Sequence, residues 1–204
     1  MSASCTAKSA KVKSTGSNRL IVGISGASGV VYGLRLLEVL KGIGIETHLV
    51  MSKSAEVTLA YETTMKVAAV KALAHTVYAN TDIASAISSG SFKTRGMIIA
   101  PCSIRTVSEI ATGVTSSLMS RAADVVLKER RRLVLVVRES PLHTGHLRTL
   151  TQASEIGAII APPMPAFYAQ PETIADLVDH TVGRVLDLFD IDAGLVHRWR
   201  EDEQ

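Results

Sequence analysis

Thiols are almost missing: Cys5 and Cys102 are the only cysteines among 204 residues, too few for a disulfide framework. Aromatic residues make up 4% of the chain. No apolar run approaches the roughly 18 residues needed to cross a bilayer, and no secretory signal opens the sequence. The expectation is a cytoplasmic protein that neither spans nor enters a membrane. Acidic residues are absent from the first 19 positions, where Lys8, Lys11, Lys13 and Arg19 carry the charge. Removing those four positive charges from the overall +3 leaves −1 for residues 20–204, so the body of the chain is near neutral. The basicity belongs to residues 1–19, and the Ser/Thr/Lys-rich composition of residues 1–18 reads as a disordered tail. A nucleic-acid or organelle-targeting role for it is the lesser alternative.

Apolar residues are plentiful, at 47% with a mean hydropathy of +0.24. Without a membrane span, that excess belongs in buried strands or subunit contacts. From about residue 19 to 200 the pattern alternates short apolar runs with amphipathic stretches, as in a single α/β domain. Strands are predicted at Leu20–Ile24, Ile45–Met51, Thr76–Tyr78, Met97–Ala100 (stopped by Pro101), Leu133–Val137 and Ala158–Ala161. The Leu133 run is apolar throughout, which suits a sheet centre covered on both faces. Helices are predicted from the first glycine-rich turn to about Gly42, then at Ser54–Tyr61, Ser103–Ala111, Ser117–Lys128, Leu147–Ile156 and Thr173–Phe189. This is the signature of a doubly wound, Rossmann-like (flavodoxin-like) parallel sheet in three layers. Ligands of such sheets lie beyond the carboxyl ends of the strands, so the residues after each strand carry the functional question.

After the first strand comes Gly23-Ile24-Ser25-Gly26-Ala27-Ser28-Gly29. Small residues let the backbone approach a phosphate, and the next helix offers free N–H groups; a tight turn without a ligand is the bland alternative. The spacing is neither the dinucleotide fingerprint nor a P-loop. The second strand ends on Met51-Ser52-Lys53-Ser54, with hydroxyls where an NAD-binding domain has an acid, which favours FMN. Pro101-Cys102-Ser103-Ile104-Arg105-Thr106 follows the Met97 strand; Ser103 suits a helix cap, a flavin contact or both. Cys102 reads as an inert buried thiol.

Arg138-Glu139 at the end of the Leu133 strand is the place for acid–base work, or else a strand-end salt bridge. Pro162 to Tyr168 forms a rigid loop ending in two aromatics, a lid or wall unless it packs in the core. The run from Lys128 to Arg132 reads as a solvated helix end. Arg121 and Arg184 lie among apolar helix neighbours and need partners, either phosphates or structural carboxylates. His143 and His146 lack the companions that a metal site requires.

Taken in order, these blocks resemble the UbiX-type flavin prenyltransferases, older members of which were called aromatic-acid decarboxylase small subunits. The likeness spans about residues 19–199. It rests on the 23–29 turn, Ser89-Gly90-Ser91-Phe92, Pro101-Cys102-Ser103, Arg121-Ala122-Ala123-Asp124-Val125 and Leu127-Lys128-Glu129-Arg130. Arg138-Glu139, Pro165-Ala166-Phe167-Tyr168, Arg184-Val185-Leu186-Asp187 and Arg198-Trp199 complete it.

The resemblance implies a homo-oligomer, often a dodecamer, with active sites where subunits meet. It implies transfer of the dimethylallyl group of dimethylallyl phosphate to N5 and C6 of reduced FMN, without metal. The prenylated FMN would then serve a UbiD-type decarboxylase. By positional match Gly26, Ala27, Ser28, Ser52, Ser103, Ile104, Arg105, Thr106 and Arg138 would hold FMN. Ser89, Arg121, Lys128, Tyr168 and Arg184 would surround the substrate phosphate, and Glu139, Ser28 and Glu62 would be catalytic. Two departures stand out: Ile83 replaces a Trp found in some members, and His146-Leu147-Arg148-Thr149-Leu150 replaces His-Leu-Glu-Asn-Met. Two other classes share these features, a flavin-carrying subunit of an aromatic acid decarboxylase and a flavin-dependent decarboxylase of cysteine-ended peptides. The latter family's Asn-Met-rich loop and its His after the first helix are both missing here.

Overall fold

In the computed structural model, residues 17–196 and Arg198 are described; Cys5, the basic positions before Ser17 and Trp199 lie outside them. Six parallel strands form one sheet in the order β3-β2-β1-β4-β5-β6. They are β1 (Arg19–Ile24), β2 (Glu46–Met51), β3 (Thr76–Ala79), β4 (Gly96–Cys102), β5 (Arg132–Val137) and β6 (Ala158–Ile160). The helices are α1 (Val30–Gly42), α2 (Lys53–Glu62), α3 (Val67–Lys71), α4 (Ile104–Thr112), α5 (Leu118–Lys128), α6 (Thr144–Glu155) and α7 (Ile174–Asp187). Among the described residues, no helix is long and apolar enough to cross a membrane.

Strand alternation divides the core into two layers. Leu20, Val22 and Ile24 of β1 and Val134 and Val136 of β5 pack with Leu37 of α1 and Val182 of α7 on one face. Ile21, Met97, Ile99, Leu133 and Leu135 point the other way, onto Val107 of α4 and Ala122 and Val126 of α5. A residue shift of one along any strand would exchange these sets, so the register is fixed by burial. The winding changes direction between β1 and β4, which pair through Ile21 with Met97. That is the switch point at which a ligand crevice opens.

Two predicted boundaries and one strand position are corrected. Pro101 does not stop the fourth strand, which runs on to Cys102; the β4–β5 register shifts between Ile99 and Cys102, and at such a bulge the missing N–H is tolerated. The apolar β5 is buried on both faces but lies one strand in from the β6 edge; β1 and β4 form the centre. Helix α6 begins at Thr144, three residues before Leu147, because the His143 ring accepts from the His146 N–H and caps it.

Candidate active site at the switch point of the sheet

A buried serine ties the two central strands together where they part. Ser25 donates through Oγ to the Pro101 carbonyl at 3.0 Å and accepts from the Ser103 N–H at 2.7 Å. Its own N–H bonds the same carbonyl at 3.1 Å. The turn after β1 is therefore fastened to the end of β4, and the start of α4 is held with it.

Beside this junction lies a cleft of about 490 Å³. It is lined by Ser52, Lys53 and Ser54 at the start of α2, by Ser103, which precedes α4, and by Arg105, Thr106 and Glu109 of α4. Asn80, Thr81, Ile83, Ser116, Ser117 and Met119 close it. Ser52 accepts from the Ala55 N–H at 3.1 Å and Ser103 from the Thr106 N–H at 3.4 Å, so both hydroxyls cap helices whose amino ends open on the cleft. Asn80 holds the third wall, its carbonyl and side-chain oxygen accepting from the Leu118 and Met119 N–H groups. Gly26 is obligatory at the back: a Cβ there would stand 2.3 Å from the Ser54 hydroxyl. The carboxylate of Glu109 is engaged by Arg105 at 3.1 Å. The donor set is thus hydroxyls, backbone N–H groups and cations, suited to a phosphate monoester. The volume falls in the usual range of sites for ligands of cofactor size.

The start of α1 serves a different anion from the one expected. Glu62, at the end of α2, accepts from the N–H groups of Gly29 (2.9 and 3.1 Å) and Val30 (2.9 Å). The Ser28 hydroxyl joins them, and Arg138 lies within electrostatic reach. Burial pushes the Glu62 carboxyl up, but these hydrogen bonds and the Arg138 charge outweigh it and hold it below the ordinary range. The α1 N–H groups are therefore not free for a ligand phosphate, and that expectation moves to α2 and α4. Ser28, Glu62 and Arg138 form one group. Glu139 is next to it in sequence but bonds its own neighbour, the Ser140 N–H, at 3.2 Å. Cys102 is fully buried and its thiol is pushed upward by that burial, in keeping with an inert role.

The cations expected at the substrate phosphate divide between the two helical layers. Arg121 and Lys128 stand on α5, and Lys128 donates to Glu129 at 2.7 Å. The loop with Ser89 lies against them: Arg131 donates to the Gly90 and Phe92 carbonyls, both at 2.7 Å. Arg131, read from sequence as part of a solvated run, has a side chain only 12% exposed and fixes that loop. Tyr168 and Arg184 lie in the opposite layer, on the loop before α7 and on α7 itself. Tyr168 meets His180 at 3.2 Å, and Arg184 lines a second cleft of about 310 Å³ between β6 and α7. The partners of Arg121 and Arg184 within the chain are carboxylates, Asp124 and Asp187, each at 2.7 Å. One chain therefore does not bring the five residues together. Phe167 and Met164 are more than 70% exposed, so the aromatic loop does not pack in the core. The His143 and His146 rings lie tilted by 32° with 3.5 Å between their centroids, and no third metal-ligating group joins them among the described residues.

Residues 8–186 match the Flavoprotein family. The flavin prenyltransferase UbiX of Thauera aromatica is 54% identical over 186 residues, covering 91% of this chain and 96% of the relative. The crystal structure of AnUbiX (PadA1) in complex with FMN and dimethylallyl pyrophosphate superposes with a TM-score of 0.88 at 50% identity, covering 90% of this chain and 97% of that one. A dodecameric FMN-dependent UbiX-like decarboxylase from Escherichia coli O157:H7 gives a TM-score of 0.87 at 49% identity, over 89% and 98% of the two chains. This chain belongs to the UbiX family of flavin prenyltransferases.

Proposed function

We propose that the protein joins the dimethylallyl group of dimethylallyl phosphate to reduced FMN. The observation that carries this reading is the hydroxyl-lined cleft at the switch point, onto which the capped starts of α2 and α4 open, in a chain of this family. When bound, reduced FMN supplies the nucleophilic N5 and C6, and the prenylated FMN passes to a UbiD-type decarboxylase. Ser52, Ser103, Thr106 and the N–H of Ile104 hold the flavin phosphate, with Arg105 as a nearby cation. Gly26, Ala27 and Ser28 line the flavin's approach, and Arg138 neutralises its negative edge.

Departure of a monophosphate builds charge on its oxygens, and donors aimed there lower the barrier without a metal. Ser89, Arg121 and Lys128 of one subunit, with Tyr168 and Arg184 of another, fill that role. Their separation on opposite layers, and the exposure of Leu142, Leu147, Phe167 and Ile174, support a homo-oligomer such as the dodecamer of the Escherichia coli relative. Glu139 accepts the proton released from C6, with the Ser28–Glu62 pair as the adjoining relay. The buried free thiol of Cys102 fits a reducing compartment, and we place the protein in the cytoplasm.

The test is mass spectrometry of the flavin after anaerobic incubation with a reductant and dimethylallyl phosphate. Gain of a five-carbon unit on FMN is the expected result. Unmodified FMN throughout would refute the assignment.

A further inference from the structure

The carboxylate of Asp187, at the end of α7, is shared by two guanidinium groups. Arg198 takes it in a fork, Nη1 to Oδ2 at 3.1 Å and Nη2 to Oδ1 at 3.0 Å. Arg184 adds one bond, Nη1 to Oδ2 at 2.7 Å, the sole hydrogen bond of its guanidinium among the described residues. The Asp187 side chain is 16% exposed and that of Arg184 54%, so the anchor is sheltered while the anchored cation faces the cleft between β6 and α7. Gly183 makes the arrangement possible. A Cβ there would stand 2.6 Å from Val196 and 3.1 Å from Leu195, so the glycine lets the C-terminal segment lie directly on α7 and deliver Arg198.

Two guanidinium groups thus share the single negative charge of Asp187. Asp192 approaches Arg198 only at 3.9 Å and is 76% exposed, so solvent screens it. A lone Asp187–Arg184 pair would be neutral, and an incoming anion would have to compete with the full carboxylate. With the fork spent on Arg198, a bidentate geometry that outranks a single contact, Arg184 is held in place yet keeps most of its attraction for a second anion.

We propose that Arg198 is a positioning residue for the allylic substrate: through the carboxylate of Asp187 it keeps Arg184 available to the substrate phosphate. This inference rests on the reading of Arg184 given above. The C-terminal segment thereby becomes part of the substrate site without touching the substrate.

The experiment compares steady-state kinetics in dimethylallyl phosphate, at saturating reduced FMN, for wild type, Arg198→Gln, Arg198→Lys, Arg184→Ala and the Arg184→Ala/Arg198→Gln double variant. Arg198→Gln is expected to raise KM about tenfold, the lower end for a charged hydrogen bond, with kcat and the FMN dissociation constant within about twofold. Arg198→Lys, which keeps the charge, should recover most of the loss. In the Arg184→Ala background, Arg198→Gln should change KM no further, because its effect passes through Arg184. An unchanged KM in Arg198→Gln, or an effect that adds to that of Arg184→Ala, overturns the proposal. If Arg198→Gln fails to fold, Arg198→Lys must show a smaller rise in KM that is again lost in the Arg184→Ala background, or the proposal falls. Arg184→Ala with wild-type KM would instead remove the underlying assignment of Arg184.

Discussion

Replacing Glu62 by Gln tests the finding that a side chain, not a ligand, occupies the start of α1. The carboxylate accepts from Gly29 N–H with both oxygens and from Val30 N–H, with the Ser28 hydroxyl as a further donor. An amide offers one acceptor oxygen and turns an NH₂ toward donors that it cannot satisfy. Hydrogen bonds to a charged group contribute about 1.5–3 kcal/mol when sheltered. Glu62 is an exposed residue, so screening reduces this to about 1 kcal/mol. The helix dipole adds roughly 0.3–1 kcal/mol, for about 1–2 kcal/mol in all. For a domain of this size that lowers the thermal midpoint by about 3–6 °C. The sign with pH follows from the depressed carboxyl. Its stabilisation is present above the unfolded-state value and fades as pH falls through the lower folded-state value, so the gap between wild type and variant should close below about pH 4. Thermal unfolding by circular dichroism, at equal protein concentration across that range, measures both effects. Equal midpoints at neutral pH, or a gap that persists undiminished in acid, would refute the capping role.

Ser25→Ala leaves the Ser103 N–H without its buried acceptor and should cost about 1–3 kcal/mol of stability, read by urea unfolding, and weaken FMN binding in titrations. Glu139→Gln should retain FMN while turnover falls by about 10²–10⁴, the usual loss on removing a general base; wild-type turnover would shift the role to Glu62. Arg184→Ala should weaken dimethylallyl phosphate by about 1.5–3 kcal/mol and spare FMN. Turnover should also survive excess EDTA; loss restored by magnesium would overturn the metal-free reaction.

The parts of the fold legible in the sequence are those written in local pattern. Ser103, Ser117 and Thr173 announce three helices because a hydroxyl cap precedes an apolar periodicity, and each does accept an N–H from its own first turn. The start of α6 is illegible because its cap is an imidazole, outside the usual capping residues. Pro101 reads as a breaker, and only the register of β5 against β4 reveals the bulge that accommodates it. At the site, the hydroxyls after β2 and β4 are visible as strand-end residues. Glu62 lies 33 positions from the Gly29 N–H that it caps, and Ser25 lies 78 from the Ser103 N–H. Neither pairing leaves a local trace. Arg131 is hidden by its neighbours, since a run of like charges does not say which member turns inward to the Gly90 carbonyl.

The cations proposed for the substrate phosphate share one further property, which bears on how a substrate would be captured. Arg121, Lys128 and Arg184 each hold a carboxylate close in their own chain, at Asp124, Glu129 and Asp187. The side chains of Arg121, Lys128 and Arg184 are all at least one-third exposed, and pairs of that kind contribute only about 0–1 kcal/mol each. Such pairing orders long side chains at little energetic cost to a competing anion. A phosphate that reaches several of them at once, with water displaced at a subunit junction, gains interactions of higher strength than the ones it replaces. Among the described residues of one chain these cations do not converge, because α5 and α7 cover opposite faces of the sheet. On the proposed reading, weak commitment of these cations within one chain leaves them open to a phosphate wherever a second subunit brings the two sets together.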